Sequence, residues 1–190
     1  MAAPKISKKK VSQTINLKDE FGVDFSRKAD LREAIGQVIL DKIKERTANG
    51  EGMKFDSIGR GRAVKLKSPY SKKYAESLDF KAAGKSKNKV NMSLTGDMME
   101  LMDITKNKGN EITIGWAASD DQDAKASNHL LGDTVPKRPF FGVSKQELKE
   151  VKREIKDDIK EAIRLKSEEG KSAFSDFVVG LAKGFRDGKG

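Results

Sequence analysis

His129, the only histidine of the chain, stands a few residues after Asp120, Asp121 and Asp123, and no other grouping has side-chain types that suggest hydrolysis or metal binding. The grouping falls short of either chemistry. A triad needs a nucleophile within hydrogen-bond reach of a base that a third group orients, and no serine, aspartate or second histidine stands at a spacing that nominates one. A calcium loop opening at any of these aspartates would need glycine at its sixth position and glutamate at its twelfth, and neither is in place. Cysteine is absent, which excludes disulfides, thiolate catalysis and cysteine-based zinc sites. His129 therefore reads as a packed or hydrogen-bonded residue, the aspartates as an exposed turn, and the chain as a non-enzyme without cofactor or metal. Met98, Met99 and Met102 read as core filler.

Charge offers a second chemistry. The chain carries a formal net charge of +10, and most of the excess lies between Lys54 and Lys89. A basic surface gains affinity for phosphate by releasing counterions, so a nucleic-acid-binding module is one reading. Within Gly59-Arg60-Gly61-Arg62 and the following Lys65 and Lys67, Arg60, Arg62, Lys65 and Lys67 are the candidate partner or nucleic-acid contacts. No aromatic residues interleave there to stack on bases, which weakens the reading.

A more patterned charge distribution follows Ser144. Ser144 and Glu147 form the S-x-x-E signature of a helix start, and Leu148, Val151, Ile155, Ile159 and Ala162 carry an apolar stripe to about Lys166. Lys149, Lys152, Arg153, Lys156 and Lys160 fall on one flank of that stripe. Glu147, Glu150, Glu154, Asp158 and Glu161 fall on the other. Lys149/Arg153, Lys152/Lys156, Glu150/Glu154 and Glu154/Asp158 are like-charged pairs at i,i+4, an arrangement that does not favour an isolated helix. Either both flanks are simply solvated, or one docks on the opposite flank of an identical neighbour, as in a head-to-tail ring.

The elements that would position these groups can be read in turn. Residues 1–25 read as an N-terminal arm, with a weak strand signal from Val11 to Leu17. A helix opens at Asp30, with Leu31, Ile35, Val38, Ile39 and Ile43 on its apolar face and Lys42, Lys44 and Arg46 near the end that favours cations. About 49–69 no apolar period survives, so a basic loop or extended hairpin is expected. Ser68 and Pro69 look like the start of a short helix, and Leu101–Lys106 and Glu111–Ala117 around Asn107–Asn110 like a β-hairpin. A short helix is expected from Lys125 to Leu131. The segment Val135–Val143 is a proline-clamped lead into the charged helix, with Pro136, Arg138, Pro139, Phe140 and Phe141 as its anchor. The domain limits are then 26–166, with a C-terminal amphipathic segment at 167–190 bearing Phe174, Phe177, Val178, Leu181 and Phe185. No run approaches the length of a membrane span, so a cytosol-like compartment and no membrane partner are expected.

Several short motifs occur in one order: Ser71 to Tyr74, Leu94 to Met98, Ile114-Gly115, His129 to Gly132, and Pro136 to Gly142 with Ser144. Their succession, over about Leu31 to Arg164, resembles the tail-completion or virion-morphogenesis family of tailed bacteriophages, the proteins of the neck or head-tail junction. The resemblance implies an α+β fold, an antiparallel β-sheet packed against long α-helices with an extended basic loop and terminal arms. It implies a homo-oligomeric ring, a hexamer being one candidate size, at the virion neck, assembled in the host cytoplasm. Portal or connector-side and tail-tube-side virion proteins would be its partners, and DNA would pass through the ring. The role implied is structural; a tail terminator ring is a related alternative. Ala63 to Lys67 lacks the tryptophan and proline that the family often places before its serine-tyrosine element.

Overall fold

Val11, Gln13 and Ile15 are buried while Thr14 is exposed, and this period-two alternation marks a strand with one face on a core. The computed structural model describes residues 3–7, 10–57, 59–66, 70–90, 92, 97–117, 121–156 and 160. The segment 167–190, Lys67, Pro69, Leu94 to Gly96, Asp120, Asp158 and Glu161 lie outside the described residues.

In chain order the elements are β1 (Lys5–Ser7), β2 (Lys10–Asn16), α1 (Leu17–Phe21), α2 (Ala29–Ala48), β3 (Glu51–Phe55), β4 (Gly61–Lys65), α3 (Lys72–Ala75), α4 (Leu78–Ala82), α5 (Asp97–Glu100), β5 (Asp103–Lys108), β6 (Glu111–Gly115), α6 (Asp121–Leu131) and α7 (Lys145–Glu154). β1, β2, β6 and β5 form an antiparallel sheet in that order, and β3 pairs with β4 as a separate antiparallel hairpin. The fold is α+β. Among the described residues no helix is long and apolar enough to cross a membrane.

β2 pairs with β6 from Ser12 opposite Gly115 to Asn16 opposite Glu111, which puts Ile15 and Ile112 side by side. With Val11, Ile114 and Trp116 they make the buried face of the sheet. α2 covers that face. Leu31, Ile35, Ile39 and Ile43 are buried, and so are Leu40, Arg32, Arg46 and Thr47; α7 and β3 also pack on α2. Gly36 permits the close approach: a Cβ at that position would meet Ile104 Cδ1 of β5 at 2.3 Å. Asp30 lies inside the first turn of α2 rather than capping it, and Lys28 at the cap position makes no side-chain capping bond. Arg32 steadies this end instead, donating from Nε to Asn107 Oδ1 at 2.5 Å and from Nη1 to the Phe25 and Ser26 carbonyls.

Two sequence expectations change, at the arm and at the aspartate turn, and between basic loop and extended hairpin the structure takes the hairpin. The stretch assigned to an arm includes β2, the second strand of the sheet, and Leu17, Phe21 and Phe25 that follow it are in the core. A strand whose apolar side completes the buried face of β6 cannot stay outside. The basic loop is a hairpin, in register from Glu51–Lys65 to Phe55–Gly61. Its apolar period is missing because glycines stand where packing is tightest: Gly52 lies against Pro139, and Gly61 against Met53 and Ser144. The aspartate turn is the first turn of α6, and Asp123 is buried there, accepting a hydrogen bond from the Val11 backbone N–H at 2.6 Å. Among the short helices, Ser71 caps α3 and Ser77 caps α4, each accepting from the backbone three residues on.

Candidate functional site

The proline-clamped segment is held along its backbone from three elements. Met53 N on β3 donates to the Pro139 carbonyl at 2.6 Å. Gln13 on β2 brackets Val143, accepting from its N–H at 2.8 Å and donating to its carbonyl at 3.1 Å. Arg46 on α2 donates from Nη2 to the Phe140 carbonyl at 3.0 Å and to the Gly142 carbonyl at 2.7 Å, while its Nη1 pairs with Glu147. An extended segment without strand neighbours must find such partners, because buried carbonyls left unpaired are costly. Phe140 and Phe141 point into the protein's own core and pack on Trp116, at ring-centroid distances of 6.3 and 5.3 Å. Trp116 Nε1 in turn donates to the Met98 carbonyl at 2.7 Å. The anchor therefore ties the α7 lead to its own protomer. Arg46 and Gln13 carry no local signal of these roles, since their partners stand some ninety or more residues away.

α7 begins as its sequence indicates, with both bonds of the Ser144–Glu147 capping box present. Leu148, Val151 and Ile155 are buried. Its acidic flank is turned toward α2, where Glu147 meets Arg46 and Glu154 meets Lys42 at 3.0 Å. Part of the charge that the helix itself leaves uncompensated is thus answered within the same chain. Glu150 lines a groove of about 310 Å³ together with Glu45, Glu51, Lys42, Arg46 and Arg62. On the basic flank, Lys149, Lys152, Arg153 and Lys156 are exposed and form no ion pair with the described residues. Lys160 is also exposed.

The basic residues of the hairpin do not act together. Arg60 is bound to Asp56, its Nε donating to Oδ2 at 2.8 Å. Arg62 stands across from Lys54 and Lys65 across from Glu51, all of them exposed.

A second cluster was not visible as a unit in the sequence. Tyr70, Tyr74 and Phe80 pack edge to face at centroid distances of 5.0 to 5.4 Å. Lys85 Nζ lies 5.0 Å from the Tyr70 ring centre and 5.7 Å from that of Tyr74, and the Arg138 guanidinium lies 5.1 Å from Tyr70. Arg138 N donates to the His129 carbonyl at 2.7 Å, which joins the proline-clamped segment to α6. Tyr70, Tyr74, Lys85, His129 and Arg138, with Met92, Thr134, Val135 and Pro136, line a cavity of about 410 Å³. Ser71 to Tyr74, His129 to Gly132 and Pro136 to Gly142 were each visible as motifs, but their convergence was not, and Lys85 had no distinguishing context.

The cluster is electrostatically unusual. Burial, then Arg138, then Lys85 hold the His129 imidazole down to a pKa of about 4. Burial, reinforced by Arg138, lowers Lys85; burial also lowers Arg138, against the opposing effect of the tyrosines, and raises the Tyr74 phenol. A folded-state histidine pKa below the unfolded value of about 6.5 means that the unfolded chain binds the proton first. The stability contribution is therefore complete above about pH 6.5 and is lost as pH falls toward 4. Between pH 7.5 and 4.5 the protein should lose on the order of 1–2 kcal/mol more than a His129→Leu variant, after allowance for solvent screening of a half-buried group. Urea melts at the two pH values measure this difference. Parallel profiles for the two proteins would show that His129 is not held neutral.

With this geometry in hand, no protein-family model, no curated protein and no solved structure matches the chain.

Proposed function

We propose that this chain is a structural virion protein of a tailed bacteriophage, forming a ring at the neck that completes the tail and joins it to the head connector. The observation that carries the reading is the split of α7. Its apolar stripe and acidic flank face the protein's own α2, whereas Lys149, Lys152, Arg153 and Lys156 project from the protomer without partners among the described residues. A row of four cations is suited to carboxylates on another molecule, and the groove on an identical copy offers Glu45, Glu51 and Glu150, beside Lys42, Arg46 and Arg62. Repeating that contact head to tail closes a ring. The motifs shared with the neck family lend further support, because three of them line one cavity and so belong to one structural unit.

Reversing Lys149, Lys152 and Lys156 to glutamate should weaken self-association by about tenfold or more, with a steep dependence on ionic strength. Adding Glu51→Lys and Glu150→Lys in that groove should restore it. Glu154 is left in place, so its ion pair with Lys42 is kept. Mass measurement across protein and salt concentration reads both effects. An oligomer unchanged by the triple reversal at low and at high salt would overturn this interface.

The nucleic-acid-binding reading keeps one specific support, the exposed Lys54–Arg62 pair across the hairpin. It requires a monomer that binds DNA or RNA with affinity falling steeply as salt rises. Binding that survives the α7 reversal and disappears with Lys54→Ala and Arg62→Ala would favour it over the ring.

A further inference from the structure

Buried cations in this protein are otherwise well provided for. Arg46 has Glu147 and two carbonyls, and Arg32 has two carbonyls and Asn107. Arg138 is the exception. It is 6% exposed, its Nε has no hydrogen-bond partner among the described residues, and its guanidinium lies over the Tyr70 ring with no described carboxylate paired to it. Lys85 Nζ lies 5.0 Å from the centre of the same ring, with a single long contact to the Tyr70 hydroxyl at 3.5 Å. Nδ1 of His129 is buried and unpartnered in the same place. No carboxylate is among the described residues that line the cavity. Aromatic faces compensate a full charge only in part, and buried charges are ordinarily paired.

We propose that this cavity is a binding site for a phosphate dianion, either inorganic phosphate or a terminal phosphate monoester. Two cations match two negative charges, whereas a carboxylate or a phosphodiester leaves one cation unanswered. Arg138 offers a planar fork and Lys85 a point charge, the two geometries proteins use for phosphate oxygens. Thr134 Oγ1 already accepts from Asn128 Nδ2, which leaves its own hydroxyl hydrogen for an oxygen in the cavity. Burial first, and then the neighbouring cations, lower both His129 and Lys85. A volume of about 410 Å³ holds a phosphate with part of an attached group. The cavity shares no lining residue with the basic flank of α7 or with the groove beside it, and the inference does not rest on ring formation.

Because His129 is the only histidine, its ring proton resonances report on this cavity alone. Titrating the full chain at pH 8 with inorganic phosphate at constant ionic strength should shift them saturably. Acetate, and a single-stranded oligonucleotide with a 5′ hydroxyl, should bind about tenfold or more weakly. Lys85→Met and Arg138→Gln should each weaken phosphate binding by about tenfold or more, the loss expected on removing one charge-assisted contact. Phenyl phosphate distinguishes the two sources: tighter binding than inorganic phosphate assigns the site to a monoester, and weaker binding to the free ion. Lys85 is half-buried, so Lys85→Met serves if Arg138→Gln fails to fold. Absence of saturation, an unchanged affinity in Lys85→Met, or equal binding of acetate would overturn the proposal.

Discussion

Arg46→Met should lower the free energy of unfolding toward the lower end of about 3–5 kcal/mol, the range for removing one partner from a buried ionic network. The guanidinium joins three groups that no other described side chain joins: the Phe140 carbonyl, the Gly142 carbonyl and the Glu147 carboxylate. Methionine fills much of the same volume, so the cost is polar rather than a cavity. Two buried carbonyls lose their Arg46 donors, and Glu147 keeps only its capping bond from Ser144 N. Arg46 Nε has no partner, and removing that orphan donor offsets a fraction of the loss. Glu147→Gln should cost less, about 1–2 kcal/mol, because it preserves a side-chain acceptor and leaves both carbonyls bound. Denaturant melts of the two variants settle the ranking. An Arg46→Met loss below about 1 kcal/mol would mean that water satisfies the segment and that Arg46 does not hold it.

Gly52→Ala should cost about 3 kcal/mol, although it adds one methyl group in a strand. A Cβ at Gly52 would stand 2.2 Å from the Pro139 carbonyl oxygen, 2.9 Å from its carbon and 2.7 Å from Leu66 Cδ2. Leu66 can rotate away. Pro139 cannot easily follow, because its carbonyl is bound by Met53 N and the next residues are held by Arg46 and packed on Trp116. The hairpin would have to detach from the segment. Gly36→Ala gives the contrasting case: its 2.3 Å clash is with the far end of Ile104, a flexible side chain, and alanine returns about 1 kcal/mol of helix propensity. Its net effect should be small. If thermal unfolding showed the two alanine variants equally destabilised, backbone rigidity at Pro139 would not be the deciding factor.

These two sites also show what kind of information was local. The capping box at Ser144, the apolar periods of α2 and α7, and the alternation of β2 and β6 follow from residue spacings of two to four. Such spacings are set by the strand and helix repeats, so they were legible. The hairpin β3–β4 was hard to recognise because its glycines serve a contact with Pro139, more than eighty residues away, rather than a local period. Asp123 looked like part of a solvated turn because its partner, the Val11 N–H, lies at the other end of the chain. Asp30 looked like a cap, yet the chain enters α2 through the Arg32 network, and the helix starts one residue earlier.

By itself the sequence determined the periods of α2, α7, β2 and β6 and the charge segregation of α7, since these depend on repeats of the backbone. It also determined that the chain has no cysteine and only one histidine. Only the tertiary structure decided which charges were already answered. It turned the acidic flank of α7 toward Lys42 and Arg46, left Lys149, Lys152, Arg153 and Lys156 on the surface, and brought Tyr70, Tyr74, Lys85, His129 and Arg138 around one cavity. The reason is physical: local spacing sets the face a side chain occupies, but its compensation depends on the element packed against that face.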